Sequence, residues 1–160
     1  MGHDFGETSV YNCNMVKRRY PSHPLVGVAG VIIQNGRVLL VKRGKAPGKG
    51  EWNIPGGLVE VGETLEEAVV RETHEETGLE VAVETLLEVS DRIIRDVEGR
   101  VMYHYVLLDY LCRMVGGRLG AASDAADARW VSFEEIDSLD LPKPVRNVLR
   151  KAGKRKGKCE

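Results

Sequence analysis

The sequence predicts an α+β fold, with a mixed β-sheet held between helices in an α/β/α sandwich. Three observations carry this expectation. Apolar runs of strand length lie on both sides of one strongly marked helix, residues 64–79. Two shorter helical stretches follow only after the last strand. No repeat and no internal linker separates these elements, so they share one layered domain. A chain of 160 residues is long enough to bury one sizeable core.

In chain order, residues 1–20 are expected to be a loosely ordered segment, residues 21–152 a single domain, and residues 153–160 a basic tail. The stretch RRYPSHP (18–24) enters the domain extended, because residues before proline avoid the helical region. LVGVAGVII (25–33) and RVLLVKR (37–43) flank QNG (34–36). Asn35-Gly36 is a strong tight-turn signal, so the pair reads as a hairpin. GKAPGKGEW (44–52) is a glycine-rich loop, and NIPGG (53–57) continues it with a short extended piece. Thr64 and Glu67 form a capping box at the start of the central helix, and Gly78 stops it. Residues 80–94 and 100–114 are strands joined near Asp96–Gly99. Residues 116–128 read as a loop, 129–133 as a short strand, and 133–139 and 142–152 as helices, the last with proline at its entrance.

Hydrophobic residues make up 42% and charged residues 29%, the balance of a soluble globular protein. The formal net charge is −1, which gives no global attraction to nucleic acid or an anionic membrane. No apolar run reaches transmembrane length, and the first residues lack the basic and apolar regions of a signal peptide. Cys13, Cys112 and Cys159 are odd in number and far apart, which fits neither a disulfide framework nor a metal knot. A reducing cytoplasm is the simplest setting.

The chemistry is concentrated in RETHEETG (71–78). On a helical wheel Leu65, Ala68 and Val69 mark an apolar stripe. Glu72 and Glu76 continue that stripe, Glu75 borders it, and Glu66, Glu67 and His74 point elsewhere. The stripe therefore turns acidic after about two turns. Carboxylates aimed at the protein body need compensation. One arginine, Arg71, is too little for three of them, whereas a divalent cation suffices. Oxygen ligands without His or Cys suit Mg²⁺, with Mn²⁺ as a substitute, and Mg²⁺ shares its shell with phosphates. The plain alternative is a solvated acidic helix.

Upstream stands GGLVEVGE. Gly57, Glu63, Arg71, Glu72, Glu75, Glu76, Gly78 and Leu79 fall at the spacing G-x5-E-x7-R-E-U-x-E-E-x-G-U, U being aliphatic, and so resemble the signature of the Nudix hydrolases. Thr73 departs from it, standing where an aliphatic residue is usual. Flanking GRVLLVKRG, GEWNIPGG and ARWVSFEEI extend the likeness over about 25–150, so the resemblance implies a Nudix-like fold. It also implies that Glu72, Glu75 and Glu76, with the Gly56 carbonyl, ligate the metal. Glu72 or Glu75 is then placed to take a proton from the attacking water, and Arg71 orients the acids, paired with Glu63 or with a glutamate. The implied reaction is hydrolysis of a nucleoside diphosphate linked to a further group. A separate base often comes from a later loop in this family, and Glu98, Asp124 and Asp127 are the acids available.

The layout of the first half is similar to ADP-ribose pyrophosphatases, which makes ADP-ribose or a related nucleotide sugar the expected substrate. The proline that many such enzymes carry past the signature is absent between Gly56 and Pro142. Two alternatives stand: a nucleotide-pool-sanitising triphosphate pyrophosphohydrolase, and a non-catalytic nucleotide sensor. The resemblance also allows a homodimer. Lys42 and Arg43 end a strand before the glycine loop, where they either clamp a phosphate or are solvated. Trp52 either stacks on a base or fills core. Tyr103 and Tyr105 share one side of a strand and are read as packing residues.

Overall fold

The computed structural model describes residues 16–120 and 125–157. Strands β1 (Leu25–Gln34) and β2 (Arg37–Arg43) form the expected hairpin. Asn35 and Gly36 both take positive φ, 50° and 69°, as a two-residue hairpin turn with matching twist requires. Two short strands follow, β3 (Trp52–Asn53) and β4 (Gly56–Leu58). Helix α1 (Leu65–Thr77) carries both hydrogen bonds of the Thr64/Glu67 capping box. It ends at Gly78 in the left-handed conformation. Strands β5 (Leu79–Arg95) and β6 (Val101–Gly117) form a long hairpin, followed by β7 (Ala125–Ser132), α2 (Phe133–Ile136) and α3 (Lys143–Lys156).

The sheet runs β3-β2-β1-β6-β5, with β4 also pairing β1 and β7 also pairing β2. β1 and β6 are parallel and the other pairs antiparallel, so the sheet is mixed as expected. β1 changes partner along its length. Its residues 27–29 face β4, whereas Ile33 and Gln34 face β2. The two halves of the sheet part between these points, and α1 lies beside the parting.

Each face buries its own core. Val31, Val38, Leu40, Leu111 and Val131 pack against Ile136 of α2 and Val145, Val148, Leu149 and Ala152 of α3. On the other face Val28, Ile32, Leu39, Tyr110 and Cys112 pack against Ala68 and Val69 of α1. This is the helix–sheet–helix layering read from the sequence.

Local differences have physical reasons. β7 begins at Ala125, inside the expected 116–128 loop, because pairing with β2 holds it extended. α3 continues through Lys156, so it takes in residues 153–156 of the expected tail; its buried face reaches Ala152 and carries the last turn with it. Tyr20, in the segment expected to be loose, is pinned. Its amide donates to the Met102 carbonyl at 2.8 Å and its hydroxyl to Asp96 Oδ2 at 2.8 Å. Among the described residues no helix is long and apolar enough to cross a membrane.

Candidate active site

Helix α1 is packed by Ala68, Val69, Thr73 and Thr77, all fully buried. The buried seam therefore stays small and neutral, and Glu72 and Glu76 flank it, which corrects the expectation that the seam itself turns acidic. Both are half-buried, whereas Glu75 is exposed, as are Glu66, Glu67 and His74.

The loop before α1 wraps onto these acids. Gly57 pairs with Val28 of β1. A Cβ at Gly57 would lie 2.3 Å from the Glu72 carboxyl carbon, so glycine leaves the space that this carboxylate fills. At Gly56 a Cβ would strike β1, 2.2 Å from the Val28 carbonyl oxygen. The Gly56 amide donates to Glu76 Oε2 at 3.0 Å, so strand β4 and the helix are tied together at the acids themselves.

Arg71 is the hub. Its Nε donates to Glu63 Oε1 at 2.6 Å and its Nη2 to Glu63 Oε2 at 3.0 Å. Nη2 also donates to the Leu58 carbonyl at 3.0 Å. Nη1 donates to Glu72 Oε1 at 2.9 Å and to Glu75 Oε2 at 3.3 Å. The expectation left open whether Arg71 reaches back to Glu63 or across to a glutamate; it does both. The Arg71 hydrogen bond holds Glu63 below the usual carboxylate range. Burial pushes Glu72 above it, opposed by Arg71 and reinforced by Glu75. With Glu60 Oε1 3.9 Å from Nη1, four carboxylates surround one guanidinium.

A hard cation fits this donor set. The ligand atoms are carboxylate oxygens, partly desolvated and in excess over the arginine, beside a glycine turn that excludes side-chain bulk. The acids are held by Arg71 and Gly56 rather than gathered in a finished cage: among the described residues no three His, Cys, Asp or Glu side chains stand together as a metal-binding group.

The flanking candidates separate. Arg43 pairs against Glu51 at the end of β2, and its Nε donates to the Pro47 carbonyl at 2.8 Å. Burial lowers its affinity for the proton, Arg92 and Arg18 add to this, and Glu76 and Tyr105 oppose it. Arg43 is thus coupled electrostatically to Glu76. Lys42, one residue earlier on a strand, faces the other way. Lys42 sits opposite Trp52, its Nζ 6.0 Å from the ring centroid, and the Arg129 guanidinium covers the same ring at 4.5 Å. Trp52 packs against the α3-side core. The structure thus groups Lys42 and Trp52 away from Arg43, as an aromatic–cation cluster, because side chains alternate along β2.

The expected bases are not gathered either. Glu98 stands in the turn between β5 and β6, ion-paired to Arg100 at 2.7 Å. β6 runs about seven residues, roughly 23 Å, from that turn to Leu108, the neighbour of Val28. The chain's own Glu98 is thereby removed from the acids. Asp127 faces the same way as its partner Lys42, and its carboxylate accepts from the Ala128 amide at 2.8 Å. Asp124 lies outside the described residues. Two residues that sequence reasoning passed over, Arg18 and Arg92, lie near Tyr105 and Arg43. The β5–β6 register sets Arg92 opposite Tyr105, whereas Arg18 comes from the segment before β1.

An acid-lined helix is bound through arginine to a glycine turn at the parting of a mixed sheet, a donor set suited to a hard cation. The comparisons with known proteins agree. The NUDIX domain family model matches residues 22–152. The ADP-ribose pyrophosphatase of Methanocaldococcus jannaschii is 38% identical over 151 residues, covering 93% of this chain and 87% of that protein. The human 8-oxo-dGDP phosphatase NUDT18 is 32% identical over 147 residues, covering 87% of this chain and 42% of that protein. The crystal structure of a MutT NUDIX hydrolase from Burkholderia pseudomallei superposes with a TM-score of 0.66 at 35% identity, over 81% of this chain and 98% of that chain. The chain belongs to the Nudix hydrolase family. It is a pyrophosphohydrolase, acting on phosphoric anhydride bonds of small nucleotides.

Proposed function

We propose that the chain hydrolyses the diphosphate of a nucleoside diphosphate linked to a further group, with ADP-ribose or a related nucleotide sugar as substrate and Mg²⁺ as the working cation. The observation that carries the chemistry is the Arg71 hub, which fixes Glu72 beside Gly57 and reaches Glu75, while Gly56 fixes Glu76. Glu72, Glu75 and Glu76, with the Gly56 carbonyl, are the residues to hold the cation. When bound, it supplies charge neutralisation at the bridging and leaving oxygens and acidifies a water. Glu72 or Glu75 accepts the proton of the attacking water. Arg71 keeps the glutamates in place, and Arg43 takes a phosphate oxygen.

The ADP-ribose assignment rests on the named activity of the M. jannaschii relative. The human relative favours a second reading, removal of damaged nucleotides. The test is product analysis on ADP-ribose, other nucleotide sugars and a panel of di- and triphosphates, each with and without Mg²⁺. AMP and ribose 5-phosphate released from ADP-ribose only with Mg²⁺ is the expected result. Turnover confined to oxidised or ordinary nucleotides would replace the assignment with the sanitising one. No turnover on any compound would leave a nucleotide sensor.

A further inference from the structure

Between α2, the second half of α3 and the β1–β2 turn lies a cleft of about 880 Å³, on the face of the sheet away from α1. Asn35 and Gly36 of the turn border it. Its floor is apolar: Ile136 and Leu149 are buried, and Ile33 and Phe133 are half-buried against the same core. Its rim is cationic, with Arg150, Lys154 and Lys156 of α3. No carboxylate of α1 lines it. Ile33 lies further along β1 than Ala29, the partner of Gly56, by about 13 Å of strand.

Two glycines of α3 and its cap leave this cleft open, and neither is required by the backbone. Gly157 has φ −70°, an ordinary helical value, and a Cβ there would meet only the Gly153 carbonyl oxygen, at 3.5 Å. Gly153 stands inside α3, where glycine weakens a helix. A Cβ there would come 3.1 Å from Phe133 Cε1, so the bare backbone lets the ring lie against the helix. A flat group can approach such a wall closely. The rim charges are incompletely matched. Asp137, which also lines the cleft, meets Arg150 at 3.5 Å, and Glu84 meets Lys156 at 3.5 Å. Among the described residues Lys154 has no ion-pair partner. An apolar floor with a few placed polar groups, within roughly 300–1,000 Å³, is the general form of a small-molecule site. Here the placed groups carry positive charge, so the matching ligand has a flat body and an anionic end.

We propose that this cleft is a second ligand site, apart from the acids of α1, and that it takes a flat organic anion of the nucleoside monophosphate class. The ring lies on Phe133 and Ile33, and the phosphate meets Arg150 and Lys154 at the rim. The proposed hydrolysis would release such a molecule from the same chain. The site itself uses none of the residues that carry the hydrolase reading, and its occupancy is measured without turnover.

The test is a fluorescence titration of the full chain, in chelator, with the anionic aromatic dye anilinonaphthalene sulfonate, followed by displacement with AMP. The dye should bind saturably and be displaced by AMP, but not by the same concentration of inorganic phosphate, which has no ring. Lys154→Gln and Arg150→Gln are each expected to weaken displacement by AMP about tenfold, the scale of one lost charge-assisted contact. Gly157→Trp places a ring in the cleft at a position with room for a side chain. It should abolish dye binding while nucleotide turnover in Mg²⁺ stays at the wild-type value. Lys143→Gln serves as the control. It removes the same charge from the same helix but lies outside the cleft, so binding should not change. Melting curves establish that each variant is folded. Dye binding that persists in folded Gly157→Trp, or dye that AMP fails to displace, would overturn the site. Equal weakening in Lys143→Gln and Lys154→Gln would assign the effect to diffuse charge and overturn it as well. Dye and AMP binding as expected in a chain that cleaves no nucleotide would overturn the hydrolase reading and leave this site standing.

Discussion

Arg71 grips Glu63 with two nitrogens, at 2.6 and 3.0 Å, and the same guanidinium then reaches Glu72 and Glu75. A fork of this kind fixes direction as well as distance, which a lysine ammonium cannot do. Arg71→Lys keeps the charge and loses the fork. Turnover is expected to fall about 10- to 100-fold, the usual cost of losing a group that orients metal ligands. Glu63→Gln should behave alike, and the double variant should be little worse than either single. Additive losses in steady-state kinetics would show that the two act separately.

Glu76 accepts the Gly56 amide and lies half-buried among other acids. Glu76→Gln retains an oxygen to accept that bond while removing a negative charge. The fold should persist, with a melting temperature equal to or above that of the metal-free wild type, and turnover should drop by orders of magnitude. Near wild-type rates would remove Glu76 from the proposed ligands.

How much of this could be read in advance depended on range. The α1 capping box, the Asn35-Gly36 turn and the Gly78 stop are written within four residues of themselves, and each appears in the structure. The reason for Gly57 is not local. It lies in Glu72, fifteen residues on, whose carboxylate fills the space that a Cβ would need. The wheel drawn from Leu65, Ala68 and Val69 placed Glu72 and Glu76 on the seam, yet Thr73 and Thr77 are the residues fully buried there. Lys42 and Arg43 read together as either a phosphate clamp or a solvated strand end, and strand alternation sends them apart. Arg92 carried no signal because only the β5–β6 register brings it opposite Tyr105.

Thr73 supplies a stability test. Its hydroxyl is fully buried with no hydrogen-bond partner, close to where a side chain at Gly30 would stand. Valine has nearly the same shape and needs no partner. Thr73→Val is expected to stabilise the protein by about 1 kcal/mol, because an unsatisfied polar group is removed. Urea unfolding measures it. A destabilised variant would show that the hydroxyl is engaged in solution.

Asp109 supplies the pH dependence. Burial, with Glu88 opposite it on β5, pushes its carboxyl up to about 6. The folded value lies above the ordinary 3.8, so between about pH 4 and 6 the folded chain retains a proton that the unfolded chain has released. Stability therefore falls as pH rises through that window. The whole penalty, on the order of 3 kcal/mol for a rise to about 6, is present at neutral pH. Asp109→Asn should raise the unfolding midpoint at pH 7.5 and change it little near pH 4. An equal change at both would assign the effect to packing.

The β5–β6 hairpin outgrows its support: β6 pairs with β1 only over Tyr105–Cys112, while the hairpin runs on to its turn at Asp96–Gly99. The proposed ligand glutamates stand on a helix rooted in the core, whereas Ile93, Ile94 and Tyr103 stand on this overhang. The acids and the hairpin end are therefore mounted on separate pieces of the architecture. An engineer can recut the overhang while the helix that carries the acids stays as it is.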